Sequence, residues 1–88
     1  MSVYLVSYDL DKPGQDYPRI ITALEGLGAQ RVLYSEWMLK SASSHAELRD
    51  YLKQFVDTND MLLVVAVSAA AWNSLMVTDQ TVQQLFAA

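Results

Sequence analysis

Gln30-Arg31-Val32-Leu33-Tyr34-Ser35-Glu36-Trp37-Met38-Leu39-Lys40-Ser41 is the stretch on which the fold turns. Val32, Tyr34, Trp37 and Leu39 are strand formers, so the segment reads as extended. Their alternation changes phase near Ser35-Glu36, which gives either two strands joined by a tight turn or one strand with a bulge. A helix is expected on each side. Upstream, Tyr17, Ile20, Ile21, Leu24 and Leu27 recur at helical spacing and form one apolar stripe. Asp16 stands where the N-cap belongs, Pro18 lies in the first turn, and Gly28 follows the stripe as a C′ glycine should. Downstream, Ser44-His45-Ala46-Glu47 is a capping box, followed by a second stripe of Leu48, Tyr51, Leu52, Phe55 and Val56.

Working outward, Val3–Asp9 is the first strand, stopped by the turn cluster Asp11-Lys12-Pro13-Gly14. Its period of two puts Val3, Leu5, Ser7 and Asp9 on one face and Tyr4, Val6 and Tyr8 on the other. Asp57-Thr58-Asn59-Asp60 is a turn, and the uninterrupted apolar run Met61–Val67 reads as a strand buried on both faces. Beyond it, Ser68–Val77 fits a short strand, a turn or a packed loop. Thr78-Asp79 caps a short helix carrying Val82, Leu85 and Phe86.

The order is β-α-(β-β)-α-β, an α+β ferredoxin-like arrangement with two helices on one face of an antiparallel sheet. One domain spans residues 1–88, with its core in 3–67 and an extension in 68–88. The second face of the sheet is also apolar, whereas an antiparallel sheet with one wet face alternates apolar with polar. The tail, a second subunit or both must cover it. A two-fold homodimer packed through the sheet satisfies two chains with one patch.

Composition narrows the function classes without choosing among them. Eighty-eight residues hold a single core, and a chain this small gains from self-association. With no cysteine there is no disulfide framework, thiolate zinc site or cysteine nucleophile. A hydrophobic content of 52% against 18% charged residues excludes disorder. The longest mostly apolar run, Met61–Trp72, is shorter than the roughly 20 residues that span a bilayer. The start lacks the basic region of a secretory signal, so a cytoplasmic address is expected, with no membrane partner. Six basic residues against ten acidic ones, a formal charge of -4, count against strong non-specific nucleic-acid binding.

Two segments carry a family resemblance. Tyr4-Leu5-Val6-Ser7-Tyr8-Asp9-Leu10 is an opening strand ending in Tyr-Asp before an acidic Pro/Gly-containing loop, and Arg31-Val32-Leu33-Tyr34-Ser35-Glu36-Trp37 follows a Leu-Gly helix end. With Asp57-Thr58-Asn59-Asp60 leading into the last strand, they resemble the CRISPR-associated Cas-two family over roughly residues 3–67. That family comprises small dimeric ferredoxin-fold proteins, some of them metal-dependent nucleases; the virulence-associated protein D toxins share the fold and the opening strand. The resemblance implies that Asp9 meets its two-fold mate and that the pair holds a divalent cation, Mg²⁺ with Mn²⁺ as substitute. It matches the family's strand-opening arginine to Arg31, its serine to Ser35, and its aromatic, usually Phe, to Trp37. Met38-Leu39-Lys40 replaces the family's glycine-containing segment, and the tail with Trp72 departs from its usual short swapped strand.

The chemistry follows from these positions. Magnesium takes hard oxygen ligands, and two copies of Asp9 across a dimer axis supply them from one sequence position. Asp9 is therefore the candidate catalytic and metal residue for an endonuclease acting on RNA or DNA. Arg31 and Ser35 are candidates for nucleic-acid contact, and Tyr8 and Trp37 for a dimer interface or base stacking. Asp9–Gly14 imitates a calcium loop, but position twelve is Ile20 rather than Glu, so that reading fails. Asp16 reads as a cap rather than a ligand. His45, the single histidine, falls in an exposed first turn with no second His to complete a zinc site. Ser35 has no evident base partner for a hydrolase triad. The competing reading is a non-catalytic dimeric adaptor whose acidic surface meets a protein partner.

Overall fold

The computed structural model describes residues 1–10 and 17–87, Tyr17 through its backbone alone. The elements are β1 (Ser2–Asp9), α1 (Tyr17–Gly26), β2 (Gln30–Leu33), β3 (Glu36–Ser41), α2 (His45–Leu52, followed by a 3₁₀ turn at Lys53–Phe55), β4 (Met61–Val67) and α3 (Asp79–Leu85). The Asp11–Gly14 turn and the Asp16 cap lie outside the described residues.

The chain is a small α+β domain built on one four-stranded sheet of order β2-β3-β1-β4, every neighbouring pair antiparallel. β3 lies between β1 and β2, and β1 between β3 and β4, so two β-α-β units interleave. This connectivity is compatible with the ferredoxin-like arrangement.

Local chemistry accounts for the elements. α1 ends in a Schellman motif: Gly28 takes φ +75°, its N–H bonds Glu25 O at 3.0 Å, and Ala29 N–H bonds Leu24 O at 3.0 Å. The capping box of α2 is complete, with Glu47 N–H on Ser44 Oγ at 3.1 Å and Ser44 N–H on Glu47 Oε1 at 2.9 Å. The Ser44 backbone N–H on the carboxylate, with the Ser44 hydroxyl second, holds the Glu47 carboxyl below its ordinary pKa. The phase change in Gln30–Ser41 is a tight turn at Tyr34-Ser35 together with a bulge between Arg31 and Leu33. Thr78 caps α3 through its side chain, and the chain from Ser68 to Val77 is loop, not strand.

Two apolar layers sandwich the sheet. On the helix side, Tyr4, Val6 and Tyr8 of β1 and Trp37 and Leu39 of β3 pack with Ile20, Leu24, Leu48 and Leu52. Tyr4 Oη also donates to Ser43 O at 2.7 Å, pinning β1 to the start of α2. On the other, outer side, Val3, Val32 and Met38 pack beneath the tail, which supplies Trp72, Leu75, Val77, Val82, Leu85 and Phe86. Lys40 Nζ bonds the carbonyls of Gln84 and Ala87 at 3.4 and 2.9 Å, satisfying the orphan end of α3.

One expectation is corrected. Met61–Val67 forms the expected strand, but it is not buried on both faces: it is an edge strand, with Met61, Leu63, Val65 and Ala66 exposed. A continuous apolar run reports that a strand wants cover on both sides, not that its own chain provides it.

Candidate functional site

The tail does not reach the whole outer face. The pairing registers set that face out in rows: Val3 with Lys40 and Val67, Leu5 with Met38 and Val65, Ser7 with Glu36 and Leu63, and Asp9 with Met61. Tail residues cover the first two rows on the β1–β3 side. The last two stay open, with Met61 68% and Leu63 58% exposed and Leu33, opposite Glu36, also exposed.

In this open half an apolar rim of Leu33, Leu63 and Met61 surrounds a polar strip. Ser7 Oγ donates to Glu36 Oε2 at 3.2 Å across the β1–β3 pair. Asp9 follows on the same face, exposed at the strand's end, beside a small depression that it lines with Ser7, Met61 and Leu63. β1 positions Asp9 because alternation sends Tyr8 into the core and its neighbour outward. Ser35 sits at the same end, since Tyr8 N–H donates to Ser35 O at 3.1 Å and ties the β2–β3 turn to β1.

The remaining site candidates lie elsewhere. Tyr8 and Trp37 are 4% and 3% exposed, and Trp37 Nε1 donates to Tyr8 Oη at 3.1 Å within the helix-side core. Both belong to the packing of the single chain, where neither ring has a face open to a base or a partner. Arg31 lies at the sheet's other edge, opposite Trp37. Its guanidinium stands 5.5 Å over the Trp37 ring and 5.0 Å over Tyr34. Its Nε and Nη2 donate to Tyr34 O at 3.0 and 2.7 Å, so this cation is occupied in holding the hairpin. His45 is exposed at the start of α2.

The carboxylate oxygens of Asp9 suit a hard cation, but one such side chain is too few ligands. Among the described residues no group of three His, Asp or Glu comes together to hold a metal. A two-fold contact on this face would add carboxylates from the mate, a second Asp9 among them. The Ser7–Glu36 pair and the apolar rim escaped the sequence reading. Period two put Ser7 beside Asp9, but nothing local announces that Glu36 and Leu63 stand opposite Ser7. No protein-family model matches the chain.

Proposed function

We propose that the protein acts as a homodimer joined through the open half of its outer sheet face, where Asp9 and its mate bind a divalent cation for phosphodiester cleavage of RNA or DNA. The observation that carries this reading is the exposure of Asp9 on the uncovered part of the sheet, bordered by the bare apolar side chains of Met61, Leu63 and Leu33. Apolar patches of this kind mark interaction surfaces, and a two-fold contact there would bring two acidic strand ends together. The reading agrees with the resemblance to the Cas-two family, including its expectation of Mg²⁺ or Mn²⁺.

When bound, the cation would supply charge stabilisation for the phosphodiester and lower the pKa of a bound water. The chain's own part is to hold Asp9 on a rigid strand end and to exclude water around it with the apolar rim. The test is cleavage of labelled single- and double-stranded RNA and DNA with Mg²⁺, Mn²⁺ or chelator. Metal-dependent cleavage by the protein and none by Asp9→Ala is the expected result. Since Asp9 is exposed, the variant keeps its fold and its dimer. Cleavage that survives in Asp9→Ala overturns the assignment.

A second reading, a non-catalytic dimeric adaptor for a protein partner, is favoured by the charge. The net charge is -4. Arg19, Arg31 and Lys40 are bonded to backbone carbonyls, and Arg49 pairs with Asp50 at 2.9 Å. Such cations are poorly placed to gather phosphates. A folded dimer that cleaves none of the substrates and gives no heat on Mg²⁺ titration establishes this reading in place of the first.

A further inference from the structure

The two edges of the sheet are finished in opposite ways. β2 is four residues long, is bulged, carries Arg31, and receives a bond from the tail, Met76 N–H to Val32 O at 2.9 Å. These are the devices by which proteins blunt a strand edge: shortness, charge, a bulge and a covering segment. β4 has none of them. It runs seven residues, Met-Leu-Leu-Val-Val-Ala-Val, without a charge, a proline or a bulge, and among the described residues no strand pairs with its outer side. Its sequence is that of a central strand in an edge position.

We propose that the outer edge of β4 pairs with β4 of a second copy, antiparallel about a two-fold axis at Val64, to form one continuous eight-stranded sheet. The row of unpaired N–H and C=O groups on an edge strand fixes the occupant as another extended strand. The self-complementary register of this uncharged run selects a second copy, and the flanking Asp60 selects its direction. The register that overlaps all of β4 sets Met61 against Val67, Leu62 against Ala66 and Leu63 against Val65. It also sets Asp60 against Ser68, so no carboxylate faces another. A parallel in-register pairing would stack Asp60 on Asp60, at a cost. The contact is isologous and therefore closes on two chains. It would give the run a hydrogen-bonded neighbour along both edges, as a central strand has.

This edge contact is separate from the face contact proposed above, because it leaves the two Asp9 ends of β4 pointing away from each other. The two are tested apart by the side of the sheet that each uses. Ala66 is exposed and lies opposite Tyr4, on the helix side. Ala66→Lys therefore puts a charge on the edge without touching the open half of the outer face.

The experiment is sedimentation of the full chain together with amide hydrogen exchange over a range of protein concentrations. In the unaltered protein all amides of Met61–Val67 are expected to become protected as concentration rises. In Ala66→Lys the outward-directed half is expected to stay fast, and the weight-average mass to fall about twofold. Ala66→Ser, which adds no charge, is expected to retain both the protection and the mass. Loss of the edge contact leaves a monomer where the face contact does not form and the face dimer where it does, and nuclease activity does not enter the measurement, so failure of either proposal is seen separately. Fast exchange of the outward amides at every concentration overturns the inference, as does an Ala66→Lys mass equal to that of the unaltered protein.

Discussion

The two faces of the sheet are built from similar strand residues but are finished differently. On the helix side Val6, Ile20, Leu24, Leu39 and Leu52 are fully buried, and the aromatic residues there satisfy their polar atoms within the chain. On the outer side a loop and a seven-residue helix cover one half and leave Leu33, Leu63 and Met61 bare in the other. The first face is a closed core that stabilises the chain; the second is half core and half exposed apolar surface. A change on the first should therefore act on folding, and a change on the open half on association or chemistry.

Leu24→Ala should break the comparison most severely. Leu24 is fully buried between α1 and the sheet, and truncation there is expected to cost about 2–5 kcal/mol in urea unfolding. Leu63→Ala, on the open half, should cost about 0.5 kcal/mol or less in the isolated chain. Its effect should instead show as weaker self-association in sedimentation. Equal destabilisation by the two would mean that the faces do not differ.

Trp37→Phe comes next. It removes the bond to Tyr8 Oη and part of a buried ring, for an expected loss of about 1–3 kcal/mol. Because Trp37 lies on the closed face, association should be unchanged. Lys40→Met tests the covered half of the outer face. Losing the bonds to Gln84 O and Ala87 O is expected to cost about 1 kcal/mol. It should speed amide exchange and proteolysis in α3 while sparing α1 and α2.

The smallest effect concerns pH. The folded-state pKa of Glu47 is lowered by its bonds to Ser44, so its contribution to stability is complete above the unfolded value. That contribution fades as pH falls from about 4.5 through the lowered value. Glu47→Gln should flatten the acid limb of the stability curve, its small cost being largest near pH 7 and vanishing at acid pH, as read by thermal unfolding at a series of pH values.

Much of the helix-side architecture is legible in the sequence because it is written in local signals. The Ser44 capping box, the Gly28 C′ position and the Thr78 cap each depend on residues a few positions apart and form as read. Ile20, Ile21, Leu24 and Leu27 of the first stripe and Leu48, Leu52, Phe55 and Val56 of the second pack into the core, while Tyr51 stays exposed. The turn and the bulge near Ser35 were two alternatives for one phase change, and the chain uses both. Burial is where reading failed. Trp37 and Tyr8 looked available for an interface because aromatic residues suit surfaces and cores alike. Only the packing of α1 and α2 over them removes them from solvent. Met61–Val67 looked central because an apolar run carries no information about the strand order that places it at the edge.

By itself the sequence determined the kinds of element, their order, their caps and the two faces of β1, because propensity, capping and periodicity act over a few residues. Tertiary structure alone decided which strands are edges, that Ser7 pairs with Glu36, and that the tail stops short of Asp9. Those outcomes depend on register between segments far apart in the chain and on how much area a short tail can cover. Neither quantity is encoded at any single position.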